Sequence, residues 1–172
     1  MQKVINILVA GLGGQGVLTA SDLIAFAAFE SGFDVKKSEL KGMSQRGGSV
    51  TSDVRFGEKV WSPMIPPGEA DFLLVLEPTQ KEPNLHMLKK DGVIIMPTDI
   101  NLSELPAKQT LNTAMVGAIS NFLPIKEEVW MSVIKKMFKP AILEKNIIAF
   151  SIGRSSYSNL NRNNLIIKQP LI

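Results

Sequence analysis

The stretch KVINILVAGLGGQGVLTASDLIAFAAFES, residues 3–31, constrains the fold more than any other part of the chain. Its opening, Lys3–Ala10, is a nearly continuous apolar run, as expected of a strand buried on both faces of a sheet. Four glycines follow: Gly11, Gly13, Gly14 and Gly16. From Val17 to Ser31 the period turns helical, with Val17, Leu18, Leu23, Ile24, Ala27 and Ala28 on one broad face and Gly32 placed as a C-cap. A second strand is predicted at Asp34–Leu40. Strand, glycine turn, helix and strand make a βαβ unit, and hence an α/β fold.

The rest of the chain extends that pattern. Ser49–Phe56 alternates as a strand, and Gly57-Glu58 has the chemistry of a tight hairpin turn leading to a return strand at Lys59–Ser62. Ala70–Leu76 and Gly92–Met96 read as two more buried strands. A short helix is predicted from about Glu82, with Pro83 near its start. The last third is helical: Leu111–Leu123, which carries the small residues Ala114, Gly117, Ala118 and Ser120, then Lys126–Phe138 and Ala141–Ile152. One domain is expected over residues 1–154, followed by a tail, 155–172, whose polar first part is expected to be loosely ordered.

Composition excludes several functions. The chain has 172 residues and no cysteine, so it holds no disulfide and no cysteine-ligated iron–sulfur cluster. Its single histidine, His86, excludes a multi-histidine metal site within one chain and reads as a helix residue rather than a catalytic one. Net charge is +3, with the basic residues scattered, which is not the dense patch of a nucleic-acid binder. The mean hydropathy of +0.12 is high for a small domain, yet no run approaches the ~18–20 apolar residues of a membrane span. That excess predicts a buried parallel sheet, a partner-covered surface or both; self-association of the isolated chain would follow from the second. With no basic leader and small-residue cleavage site, a cytoplasmic chain is expected.

Gly11, Gly13 and Gly16 match G-x-G-x-x-G in its proper place between strand and helix. Such a turn lets a phosphate approach the backbone at a helix N-terminus. It equally lets strand and helix pack closely, and these readings stay open here. A P-loop is excluded, because Val17 and Leu18 stand where Lys and Ser or Thr are needed. A dinucleotide site would need an acid ending the second strand, for which Glu39 is the candidate. Gln15, at the tip of the turn, is placed to contact a ligand or another chain. A second glycine loop, GMSQRGGSV at 42–50, sets Gln45 and Arg46 beside Gly47, Gly48 and Ser49. A guanidinium next to exposed backbone amides suits a phosphate or carboxylate, or is an ordinary surface loop.

Taken in order, GLGGQGVLTAS, GMSQRGGSV and SPMIPPGEADFLLVLEP resemble the γ-type subunits of the 2-oxoacid:ferredoxin oxidoreductases, most closely those of the indolepyruvate branch. The resemblance continues through Asn146 and AFSIGR, 149–154. It implies a Rossmann-like three-layer α/β/α domain with a mostly parallel sheet and an inserted β-hairpin. It also implies a subunit without activity of its own, whose catalytic partner subunits carry thiamine diphosphate and iron–sulfur clusters and pass electrons to ferredoxin. No cofactor is then held by this chain alone, and no catalytic residue. By the resemblance the turn (Gly13, Gly14, Gln15, Gly16) serves the fold and an inter-subunit or cofactor-facing surface, and the second loop (Gln45, Arg46, Gly47, Gly48, Ser49) is the better candidate for touching coenzyme A, Arg46 meeting a phosphate, or else a subunit contact. The alternatives are a stand-alone dinucleotide-binding protein using Glu39, and a non-catalytic assembly scaffold.

Overall fold

The computed structural model describes residues 4–42 and 47–163, with side chains through Ser156. Strand β1, Ile5–Leu12, lies at the centre of a five-stranded sheet. Helix α1, Val17–Glu30, leads to β2, Asp34–Lys41, and then to β3, Ser49–Gly57. Strand β4, Ala70–Val75, is followed by a short helix α2, Lys81–Asn84, within a run of single turns, and by β5, Leu88–Ile95. Three helices complete the chain: α3, Leu111–Ser120; α4, Glu127–Met137; and α5, Pro140–Asn163.

The strand order is β2-β3-β1-β4-β5. β1 pairs in parallel with β4, and β4 with β5, while β3 pairs antiparallel with both β1 and β2. Four strands therefore run one way and only β3 runs against them. Alternation along β1 divides the core. Ile5, Ile7 and Val9 join Val54, Phe56, Phe72 and Leu74 beneath α1, α3, α4 and α5. Leu8 and Ala10 face the other side with Leu73 and Val75, under Ile65 and the Leu85–Met87 turn. The two parallel connections travel in opposite directions from the middle of the sheet, so right-handed crossing puts them on opposite faces. The result is a three-layer α/β/α arrangement with one thick helical layer and one thin one.

The hairpin differs from expectation. Lys59–Ser62 forms no strand, and Gly57 ends β3 opposite Asp34 instead of opening a turn. The reason is that β3 has no free edge, since β1 and β2 occupy both sides. The chain after Gly57 is held by side chains instead. The Asp34 carboxylate accepts the Val60 N–H at 2.9 Å, the Asp53 carboxylate accepts the Ile65 N–H at 2.9 Å, and Arg55 donates to the carbonyls of Ser62 and Met64. The inserted antiparallel element is the β2–β3 pair. The short helix expected near Pro83 is present as α2. Two smaller differences remain. β5 begins at Leu88, four residues earlier than its apolar core suggests. α5 continues through 155–163, where polar composition predicts loose order.

Candidate functional site

The site forms where β1 ends. Gly11 must be glycine because a Cβ there would press on Val17, Gln15 and Leu76. Gly14 and Gly16 take the left-handed backbone, with φ of 91° and 82°. Gly16 is the N-cap of α1 and, being glycine, has no side chain to cap it; the first turn also lacks an acidic residue. Its first amides thus remain available, with the positive end of the helix dipole, for an anion. Gly16 is also pressed by Asn112 of α3, whose amide donates to the Gly16 carbonyl at 3.4 Å.

Gln15 braces the turn. Its Oε1 accepts the Leu12 N–H and its Nε2 donates to Glu77, each at 2.8 Å, joining the ends of β1 and β4. Sequence suggests a residue aimed outward; the structure gives it bonds within the chain.

The second glycine loop is folded against the first. The Gly13 N–H donates to the Gly48 carbonyl at 2.9 Å, and the Gly42 N–H to the Ser49 carbonyl at 2.7 Å. Ser49 donates through its hydroxyl to Gln80 at 2.7 Å. Gln45 and Arg46 lie outside the described residues. Between the loops is an open hollow of about 700 Å³, lined by Gly13, Gly14, Gly16, Gly47 and Gly48 together with Lys41. The seven-residue spacing that separates Lys41 from Gly48 hides their proximity in the sequence; the pairing of β2 with β3 brings the lysine, 3.9 Å from the Glu39 carboxylate, back to the glycines.

Glu39 is not arranged as a dinucleotide site requires. β3 lies between β2 and β1, which separates their axes by about 10 Å. Its carboxylate is bonded to Lys37 at 2.7 Å, and that bond lowers its pKa. Burial disfavours the Lys37 ammonium, but bonds to Asp22 and Glu39 outweigh it and raise the lysine's pKa. His86 is exposed; its ring Nδ1 lies 3.0 Å from the Pro83 carbonyl, and its own backbone carbonyl accepts the Gly68 N–H at 3.0 Å.

A second hollow, of about 650 Å³, opens on the other side of the turn. Gly14, Gln15 and Gly16 form one wall, and the approach to α3 and the start of α5 form the other. Among the described residues, no helix is long and apolar enough to cross a membrane.

Comparison with known proteins accords with this geometry. Residues 6–111 match the family described as pyruvate ferredoxin/flavodoxin oxidoreductase. Over 88% of its length the chain is 32% identical to the indolepyruvate oxidoreductase subunit IorB of Thermococcus kodakarensis, covering 95% of that relative. The keto/oxoacid ferredoxin oxidoreductase γ subunit of Geobacter sulfurreducens superimposes with a TM-score of 0.77 at 22% identity, over 90% of this chain and 99% of that one. A 2-oxoglutarate:ferredoxin oxidoreductase from Magnetococcus marinus, with 2-oxoglutarate, coenzyme A and succinyl-CoA bound, superimposes with a TM-score of 0.81 at 20% identity; 92% of this chain matches only 32% of that longer one. Fold, glycine turn and family match agree: the chain belongs to the pyruvate ferredoxin/flavodoxin oxidoreductase family.

Proposed function

We propose that this chain is the γ-type subunit of a cytoplasmic 2-oxoacid ferredoxin oxidoreductase, and that its 2-oxoacid is an arylpyruvate of the indolepyruvate type. The observation that carries the assignment is the similarity to an indolepyruvate oxidoreductase subunit over nearly the full length of both chains. In this reading the complex decarboxylates the 2-oxoacid, transfers the acyl group to coenzyme A and passes the electrons to ferredoxin. Thiamine diphosphate and the iron–sulfur clusters reside in partner subunits, since a chain without cysteine offers no thiolate to a cluster.

The chain's own contribution is to bind and orient. The hollow between the glycine loops would receive part of coenzyme A, with the uncapped α1 N-terminus and Lys41 supplying positive potential. Gln45 and Arg46, which lie between β2 and β3 in sequence, are assigned to the same ligand on the strength of the family resemblance. The glycines keep side chains out of the way, and Gln15 fixes the turn on β4. Exposed aromatic residues, Phe29 at 67% and Trp61 at 86%, suit a chain that is covered in a complex.

The test is reconstitution with the partner subunits. Omitting this chain is expected to abolish coenzyme A-dependent reduction of a viologen dye by indolepyruvate. Arg46→Ala is expected to raise the KM for coenzyme A while leaving assembly intact. Full activity without this chain would overturn the assignment; an unchanged KM in the variant would reduce the chain to a scaffold.

A further inference from the structure

We infer that the second hollow, at the C-terminal ends of β1 and β4, binds a nucleoside phosphate through Lys108 and Lys145. The inference concerns this chain's own surface and does not depend on the subunit assignment.

The hollow lies at the topological switch point of the sheet. From β1 the chain crosses the helical face toward β2; from β4 it crosses the opposite face toward β5. The diverging connections leave a crevice beyond the strand ends, which is where open α/β sheets accept ligands. Here Leu76 follows β4 at its floor, and Gly14 and Gly16 form its rim.

Its charge is one-sided. Lys108 comes from the turn before α3 and Lys145 from α5, so two separate elements bring ammonium groups to one hollow. Both are exposed, no ion pair joins either to a described residue, and no carboxylate lines the hollow. Two uncompensated cations around a concave surface concentrate anions there. Thr19, in the first turn of α1, lines the same space, so the positive end of that helix dipole faces it.

The remaining lining suits a base rather than a bare phosphate. Phe138, Ile142 and Leu111 give an apolar wall, and the amides of Gln109 and Asn112 offer donors and acceptors in its neighbourhood. A volume of about 650 Å³ falls in the size range of small-ligand sites. Such a ligand has two sources, a free nucleotide or the nucleotide end of coenzyme A.

The experiment titrates the full chain with adenosine 5′-diphosphate by calorimetry, with adenosine as the uncharged control. Wild type is expected to bind the diphosphate and to bind adenosine far more weakly. Lys108→Ala/Lys145→Ala is expected to weaken diphosphate binding by roughly tenfold or more, about 1.4 kcal/mol. If coenzyme A displaces the diphosphate, the site serves the cofactor's nucleotide end; if it does not, the ligand is a free nucleotide. No binding at millimolar diphosphate, or binding indifferent to both lysines, overturns the inference.

Discussion

The backbone N–H of Gly13 donates to the carbonyl of Gly48, 35 positions later, at 2.9 Å, so the two glycine segments meet as one surface. β3 makes this possible by returning antiparallel beside β1, with Leu12 opposite Ser49. The same insertion moves β2 to the sheet edge and takes Glu39 away from the turn. The fold has thus exchanged the geometry of a dinucleotide site for a hollow between two loops.

That bond separates two glycines that look alike in sequence. A Cβ on Gly13 would make ordinary contacts with the Gly47 and Gly48 backbone, at 3.7 and 3.8 Å. Gly13→Ala is therefore expected to keep its stability within about 0.5 kcal/mol while narrowing the hollow. Its effect should fall on the KM for coenzyme A in the reconstituted complex. A Cβ on Gly16 would strike Asn112 from a left-handed backbone. Gly16→Ala is expected to lose roughly 2–4 kcal/mol, combining the left-handed penalty with overpacking. Urea denaturation of both variants checks the contrast, and equal stabilities would refute it.

Gln15→Glu tests the brace. It keeps an acceptor for the Leu12 N–H but sets a carboxylate against Glu77 in place of an amide donor. At neutral pH the variant is expected to lose about 1–3 kcal/mol. Two facing carboxylates hold a shared proton more tightly when folded than when unfolded. The loss should therefore shrink as pH falls toward about 5 and grow as pH rises, because the folded variant binds the extra proton. A penalty that does not change with pH would mean the two side chains separate freely.

What the sequence reveals here depends on whether the determinant is local. β1, α1 and β4 are legible because their apolar periods are strong and Gly32 ends α1 as read, with φ of 88°. The small residues of α3 are legible as close-packing positions for the same reason. The Gly57-Glu58 turn misleads because its chemistry is local while the decision is not: with both edges of β3 occupied, the return strand has nothing to pair with, and Asp34, Asp53 and Arg55 hold the chain instead. Lys108 and Lys145 carry no motif at all. Their meeting depends on where α3 and α5 start relative to β1, which no spacing encodes. Gln15 reads as outward-facing because its partner, Glu77, is 62 positions away.

The α3–α5 crossing supplies a sharper stability test. A Cβ on Gly153 would overlap the backbone carbonyl of Ala114, and one on Gly117 would overlap that of Phe150. Neither obstacle is a flexible side chain, so the two helices would have to separate. α3 is buried along nearly its whole length, and the pair shares a buried bond from the Thr113 hydroxyl to Asn146 at 2.7 Å. Gly153→Ala is expected to cost about 3 kcal/mol. A far smaller cost for Gly32→Ala, whose Cβ would meet open space, provides the contrast, reporting only left-handed strain of about 1–2 kcal/mol. Similar thermal midpoints for the two variants would show that the crossing is looser than its geometry.

Asp34 should make stability fall in acid within a defined window. Its carboxylate accepts the Val60 N–H and is paired with Lys36 at 2.9 Å, with Lys59 farther off at 3.6 Å, and these lower its pKa from 3.8 to about 2. The folded chain therefore holds fewer protons than the unfolded chain between those values. Its contribution is fully present above the ordinary carboxylate range and is lost as pH falls toward about 2. Asp34→Asn retains an acceptor for Val60 but has nothing to titrate. The stability difference between wild type and Asp34→Asn, read from denaturation midpoints, should be constant above about pH 5 and shrink below about pH 4. The loop Asp34 holds carries Trp61, so the loss should also loosen that exposed ring relative to Lys59, 5.2 Å from its centre. A difference that persists unchanged down to pH 2 would refute the lowered pKa of the folded Asp34 carboxylate.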